Sequence, residues 1–144
     1  MSTSGSQPLE DARVGVRLKI SALWIAMLFL FANGDILGFF KPGQIEQVIS
    51  GEVSGIKLTE LFLFSASAYV AIASVMIFLT LVLRASVARL TNIVLGALYI
   101  VSIVASLIGE SSAYFIFLSV AECALLALII RYAWTWSKQQ VART

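Results

Sequence analysis

Polar residues thin out four times along this chain, and each gap is long enough for a helix to cross a bilayer. A crossing needs about 20 mostly apolar residues at 1.5 Å rise per residue to cover about 30 Å of hydrocarbon. The runs that qualify extend over residues 20–40, 58–83, 90–109 and 113–134. The connections over residues 84–89 and 110–112 are short, and only residues 41–57 form a long one. Within it Ile45, Val48, Ile49, Val53 and Ile56 recur at nearly helical spacing opposite Gln44, Glu46 and Gln47. That pattern predicts a short helix lying on the membrane surface, either capping the bundle or acting as a lid. Ahead of the first run, the opening "MSTSGSQP" has the Ser, Gly and Pro content of a disordered tail, and residues 9–19 suit a short cytoplasmic helix. The expected organisation is a tail over 1–19, one four-helix domain over 20–136 and a tail over 137–144.

Charge sets the expected orientation, because cytoplasmic loops carry an excess of Lys and Arg. Arg13, Arg17, Lys19, Arg84, Arg89, Arg131, Lys138 and Arg143 fall on one side of the four runs, against Lys41 and Lys57 on the other. Both termini are expected inside. Tyr132, Trp134 and Trp136 then form an inner interfacial belt and Tyr114 an outer one. The fold class expected is all-α: an integral membrane four-helix bundle with both termini cytoplasmic and a short interfacial helix in its first outer loop.

Composition agrees and removes several chemistries. The 144 residues are 60% hydrophobic and 12% charged, with a mean hydropathy of +0.95, far from the soluble average of about 25% charged. A net charge of +2 without a basic stripe is no footprint for nucleic acid. Histidine is absent, which removes His-ligated metals and a His general base. The single cysteine, Cys123, has no partner in the chain for a disulfide or a CxxC pair. We expect no metal, no cofactor and no enzyme.

The first run is interrupted: "FANGDILGFFKPG" sets Asn33, Gly34 and Asp35 among apolar residues. A helix stopping at Ala32 would be only about 20 Å long, so it must continue through these residues. Positions 33 and 35 lie about 200° apart on a straight helix. Gly34 is the expected bend that turns both polar groups inward. Asn33 and Asp35 then either satisfy freed backbone groups or form, with Glu60 and Glu110, an outward-facing polar mouth.

Glu122 falls about ten residues into the fourth run, near the bilayer centre, where an ionised carboxylate costs at least a few kcal/mol. Tyr69 and Tyr99 reach the same depth from the second and third runs, and a hydrogen bond from either to Glu122 is expected. In the third run Asn92, Gly96, Tyr99, Ser102, Ser106 and Gly109 follow at steps of three or four, a small and polar stripe suited to close helix packing. Ser67, Ala71 and Ser74 make a similar stripe in the second run, and Ser119 lies one turn before Glu122. Packing explains small residues but does not require a carboxylate. Glu122, with Tyr99, Tyr69, Ser102 and Ser119, is either a polar lock on the bundle or a site for a proton, a cation or a ligand.

The stretches "LEDARVGVRLKISALWIAMLF", the "GD" of the first run, "PGQIEQVISGEV", "LTNIVLGALY" and "RYAW" together resemble an uncharacterised family of small bacterial four-helix membrane proteins, a domain of unknown function. The resemblance covers nearly the whole chain. It implies the same topology and a bacterial inner-membrane setting, and brings no substrate or active site. Two functions follow as expectations. One is transport or ligand binding at a polar site centred on Glu122. The other is a structural or regulatory subunit that binds another membrane protein or lipid, with a homo-oligomer as a further partner arrangement. An intramembrane enzyme comes third, since no nucleophile or cofactor motif accompanies Glu122 and the tyrosines.

Overall fold

A computed structural model describes residues 13–53 and 55–136. The expectations for residues 1–12 and 137–144, including most of the N-terminal tail, Lys138 and Arg143, lie outside the described residues. Helix α1 spans Val16–Gly38 and α2 spans Gln44–Ser50; strands β1 (Glu52–Val53) and β2 (Ile56–Lys57) follow, then α3 (Glu60–Val82), α4 (Ala85–Ser106) and α5 (Ala113–Trp134). Helices α1, α3, α4 and α5 are long and apolar enough to cross a membrane, and they form the all-α four-helix bundle expected from the pattern.

The helix ends depart from the hydropathy limits for local reasons. Helix α1 begins four residues early, because Gly15 is extended and Arg17 is anchored: its guanidinium donates to the Leu81 and Leu83 carbonyls at 2.6 and 2.9 Å. Residues 16–19 therefore belong to α1, and Arg13 to Gly15 are not helical, which corrects the separate helix expected over 9–19. Helix α3 starts after Thr59, whose hydroxyl accepts from the Phe62 N–H at 3.2 Å. Its end is joined to α4 by Leu83 and Arg84 alone, so α4 begins before its apolar run does. The long loop also differs. Gly51 sits at φ 79°, in the left-handed region that ends α2, and Gly55 at φ 81° helps turn the chain back. Val53 and Ile56, expected on the helix, pair instead in a two-residue antiparallel hairpin.

Packing runs in the order α3, α1, α5, α4, with α3 and α4 approaching only slightly through their backbones. Side chains close that seam. Gly96 lets α4 and α5 come together: a methyl group there would stand 2.9 Å from Ile130 Cγ1. Gly34 is buried against α5, where an added methyl would meet Leu118 only at an ordinary contact distance of 3.5 Å. Helix α1 runs unbroken through residues 33–35, as its required length demanded.

The buried residues are unevenly spread. On α1 they are Ile20, Ser21, Trp24 and Met27, with Gly34 alone beyond; on α3 they are Ala73, Met76 and Thr80. These belong to the half of the bundle nearest residues 16 and 134, called here the terminal half. The opposite, loop half carries α2 and the hairpin. Ser67, Ala71 and Ser74 are exposed, so the stripe expected to pack α3 faces away from the core. Spacing marked a face without telling which face turns inward.

Candidate functional site

Glu122 and Ser119 come from consecutive turns of α5 and are only 5% and 3% exposed. Neither side chain makes a hydrogen bond to any described residue, and no sealed polar atom is left unpaired, so their oxygens open onto space. That space is a cavity of about 40 Å³ between α1, α4 and α5, lined by Asp35, Ser119 and Glu122 with Phe31, Ile103 and Leu118 among the apolar walls. The hydrogen bond expected between Glu122 and Tyr69 or Tyr99 does not form. The Tyr99 hydroxyl donates to the Tyr69 carbonyl, and the Tyr69 hydroxyl pairs with Ser102 at 2.7 Å. Depth alone had matched these residues. Their angular positions differ, and the tyrosines close the α3–α4 seam while Glu122 faces α1.

Asp35, three residues from the end of α1, borders three spaces at once. Besides the small cavity, it lines a mouth of about 650 Å³ beneath α2 and the hairpin, together with Lys41, Gln44, Glu110 and Tyr114. It also lines a groove of about 750 Å³ between α1 and α3. Asn33 is not part of this mouth. Its amide donates to the Phe29 carbonyl at 2.7 Å on its own helix, which settles a polar group locally without turning it inward. Glu60 is absent from the mouth as well: it is exposed in the first turn of α3, where a negative charge favours the helix N-terminus.

Glu110 does stand in the mouth. Its Oε1 accepts from the backbone N–H groups of Ser111 and Ser112 at 2.9 and 2.8 Å, and Lys41 Nζ lies 3.4 Å away. The Ser112 hydroxyl and N–H, followed by Ser111 and the charge of Lys41, hold the Glu110 carboxyl down at about 2. It is ionised at any ordinary pH. Lys41 also lies 5.8 Å from the centre of the Tyr114 ring. Lys41, counted in the sequence only for orientation, was not expected in the mouth; its signal was a cation on the same face as the acidic loop end at Glu110.

The terminal half holds a different polar cluster, also missed. Asn92 is completely buried, and its Oδ1 accepts from Trp24 Nε1 at 2.7 Å and from the Thr80 hydroxyl at 3.3 Å. Its Nδ2 donates to the Ala88 carbonyl at 2.7 Å and to Thr80 Oγ1 at 3.1 Å. The side-chain amide has no capacity left for a ligand. Trp24 packs edge-on against Tyr99 at 5.5 Å, and Tyr99 against Tyr69 at 4.3 Å, which ties this cluster to the α3–α4 seam. At the rim of the same half, Arg17, Lys19 and Arg89 lie 5.3, 5.6 and 5.9 Å from the rings of Trp136, Tyr132 and Trp134. Such pairs add about 0.5–1 kcal/mol each when exposed.

Among the described residues no group of three or more His, Cys, Asp and Glu side chains is arranged to hold a metal ion. The carboxylates instead line neighbouring spaces, Glu110 and Asp35 the mouth and Asp35 and Glu122 the small cavity. A family model described as "Family of unknown function (DUF6326)" matches residues 13–143. Neither the curated proteins nor the solved structures contain a match to the chain.

Proposed function

The chain belongs to the DUF6326 family, whose function is unknown, and we propose from its site that it is a multi-pass membrane protein that binds and moves a proton or small monovalent cation. The site lies between the helices, centred on Glu122 and reached from the loop half through Asp35. Its setting in this reading is the inner membrane of a bacterial cell, with both termini cytoplasmic and the mouth outside. It acts by binding and not by catalysis.

One observation carries the reading. Glu122 and Ser119 are buried polar residues without a protein partner, and both open onto the cavity that Asp35 also lines. A buried carboxylate without a hydrogen bond is costly unless it carries a proton or meets a cation. A cavity of about 40 Å³ has room for water or a small ion, since about 10–15 Å³ by this measure holds one water. The terminal half is closed by the buried side chains of Trp24, Met27 and Met76. Movement across the bundle then requires the terminal half to open in turn.

The test is proton uptake into proteoliposomes that hold a pH-sensitive dye, driven by a potassium diffusion potential, with sodium and potassium indicators run in parallel. Wild type should exceed empty liposomes for one of the three ions, and Glu122→Gln and Asp35→Asn should each lower that rate about tenfold or more. Wild-type flux equal to that of empty liposomes for all three would refute the reading. The alternative would then gain: a structural or regulatory subunit, supported by α3, which buries only Ala73, Met76 and Thr80 and leaves Leu61, Phe64, Val75 and Phe78 for a partner helix.

A further inference from the structure

The groove between α1 and α3 is a large space that the ion path does not use. Helices α1 and α3 are bound together in the terminal half, where Ser21 Oγ donates to the Ile77 carbonyl at 3.0 Å and Arg17 reaches Leu81 and Leu83. Beyond Ala73 no residue of α3 is buried, and the two helices part around about 750 Å³. Drug-sized ligands occupy sites of about 300–1,000 Å³. The walls are apolar and aromatic: Phe31, Phe62, Tyr69 and Val70 line the space. Phe31 and Tyr69 close its inner end, their ring centres 5.8 Å apart.

One charge faces this apolar space. Asp35 lines the groove and makes no hydrogen bond or ion pair with any described residue. Lys41 does not neutralise it, being engaged by Glu110 at 3.4 Å. An anion set among three aromatic rings is complementary to a particular kind of molecule. Aromatic faces attract a cation, the carboxylate attracts it further, and the apolar walls suit a hydrophobic body. The flank position suits a solute that reaches the protein through the hydrocarbon of the bilayer.

We propose that the α1–α3 groove is a binding site for an amphiphilic organic cation, with its apolar body between Phe31, Phe62, Tyr69 and Val70 and its positive charge at Asp35. The inference rests on the reading of Asp35 as part of a cation path, and it names a second substrate class for that path. Because Asp35 borders both the groove and the small cavity, organic cation and small ion compete for one carboxylate. That arrangement exchanges one for the other.

The full chain in lipid nanodiscs, titrated with radiolabelled tetraphenylphosphonium, tests this directly. Saturable binding is expected, about tenfold weaker in Asp35→Asn and in Ala66→Trp, which fills the groove from α3. Tetraphenylborate has the same shape and the opposite charge, and on wild type alone it should show no saturable binding. Equal binding of the two probes would overturn the proposal and make the groove a resting place for lipid chains. Proteoliposomes that carry ion flux while the nanodiscs bind no tetraphenylphosphonium would overturn it too, and would leave the ion path standing. Absence of wild-type flux refutes the ion path whatever the nanodiscs bind, so the two failures read differently.

Discussion

In the terminal half the buried polar side chains Ser21, Thr80 and Asn92 all have protein partners, while in the loop half Ser119 and Glu122 are as deeply buried and have none. Composition does not separate them, for both halves draw on the same four apolar helices. What differs is closure. Trp24, Asn92 and Thr80 fill and satisfy one end, so no polar group there gains from a ligand. The loop half keeps three spaces that share Asp35 in their walls. Satisfied packing concentrates at one end and unpartnered polar groups at the other, the division that the proposed site would need.

The largest break of this comparison is Trp24→Ala. It empties a fully buried position and removes a donor from Asn92, and it should cost about 3–5 kcal/mol in detergent-micelle unfolding. Phe115→Ala, a truncation of similar kind beside the open spaces, should cost less than half as much. Equal losses would mean that both halves are equally packed. Gly96→Ala comes next. The added methyl would meet Ile130 at 2.9 Å, forcing α4 from α5 at a cost of about 1–2 kcal/mol, readable as a lower melting midpoint.

Glu110→Gln is the smallest effect, about 0.5–1 kcal/mol near pH 7, and its pH dependence carries the information. The folded carboxyl titrates at about 2, below its ordinary 4.5. A depressed value adds stability above pH 4.5 that is lost as pH falls through 2. The gap in melting midpoint between wild type and Glu110→Gln should therefore close as pH is lowered from 5 to 2. A gap that stays constant would mean that the charge of Glu110 contributes nothing to the fold.

Four helices were legible in the sequence because long apolar runs leave the backbone no other way to satisfy its hydrogen bonds in lipid. Their limits were less so, since a helix also grows into polar surroundings when a residue such as Arg17 anchors its first turn. Depth was legible for Tyr69 and Tyr99, which meet between α3 and α4, but it did not bring them onto Glu122. The rotation of each helix was not legible. Nothing in the spacing of Ser67, Ala71 and Ser74 says that α3 turns them outward and Ala73 inward. Asp35 and Glu110 stood in the mouth as expected, whereas Asn33 and Glu60 found local partners or solvent, which short polar and terminal acidic residues do readily. Trp24 was not singled out, although its N–H at the depth of Asn92 was the signal of the buried cluster.

Lys41 and Glu110 are 69 positions apart in the chain, yet they moor the loop that carries α2 to the loop ahead of α5. The mooring is partly open to solvent, and salt screens it: the Debye length falls from about 10 Å at 0.1 M to about 3 Å at 1 M. On the proposed ion path, traffic through the mouth is then timed by ionic strength. Salt frees the loop and speeds arrival, while the same salt weakens the long-range pull of Asp35 on a cation and slows it. The sign of the salt dependence of the association rate tells which of the two sets the pace, a swinging door or a steering field.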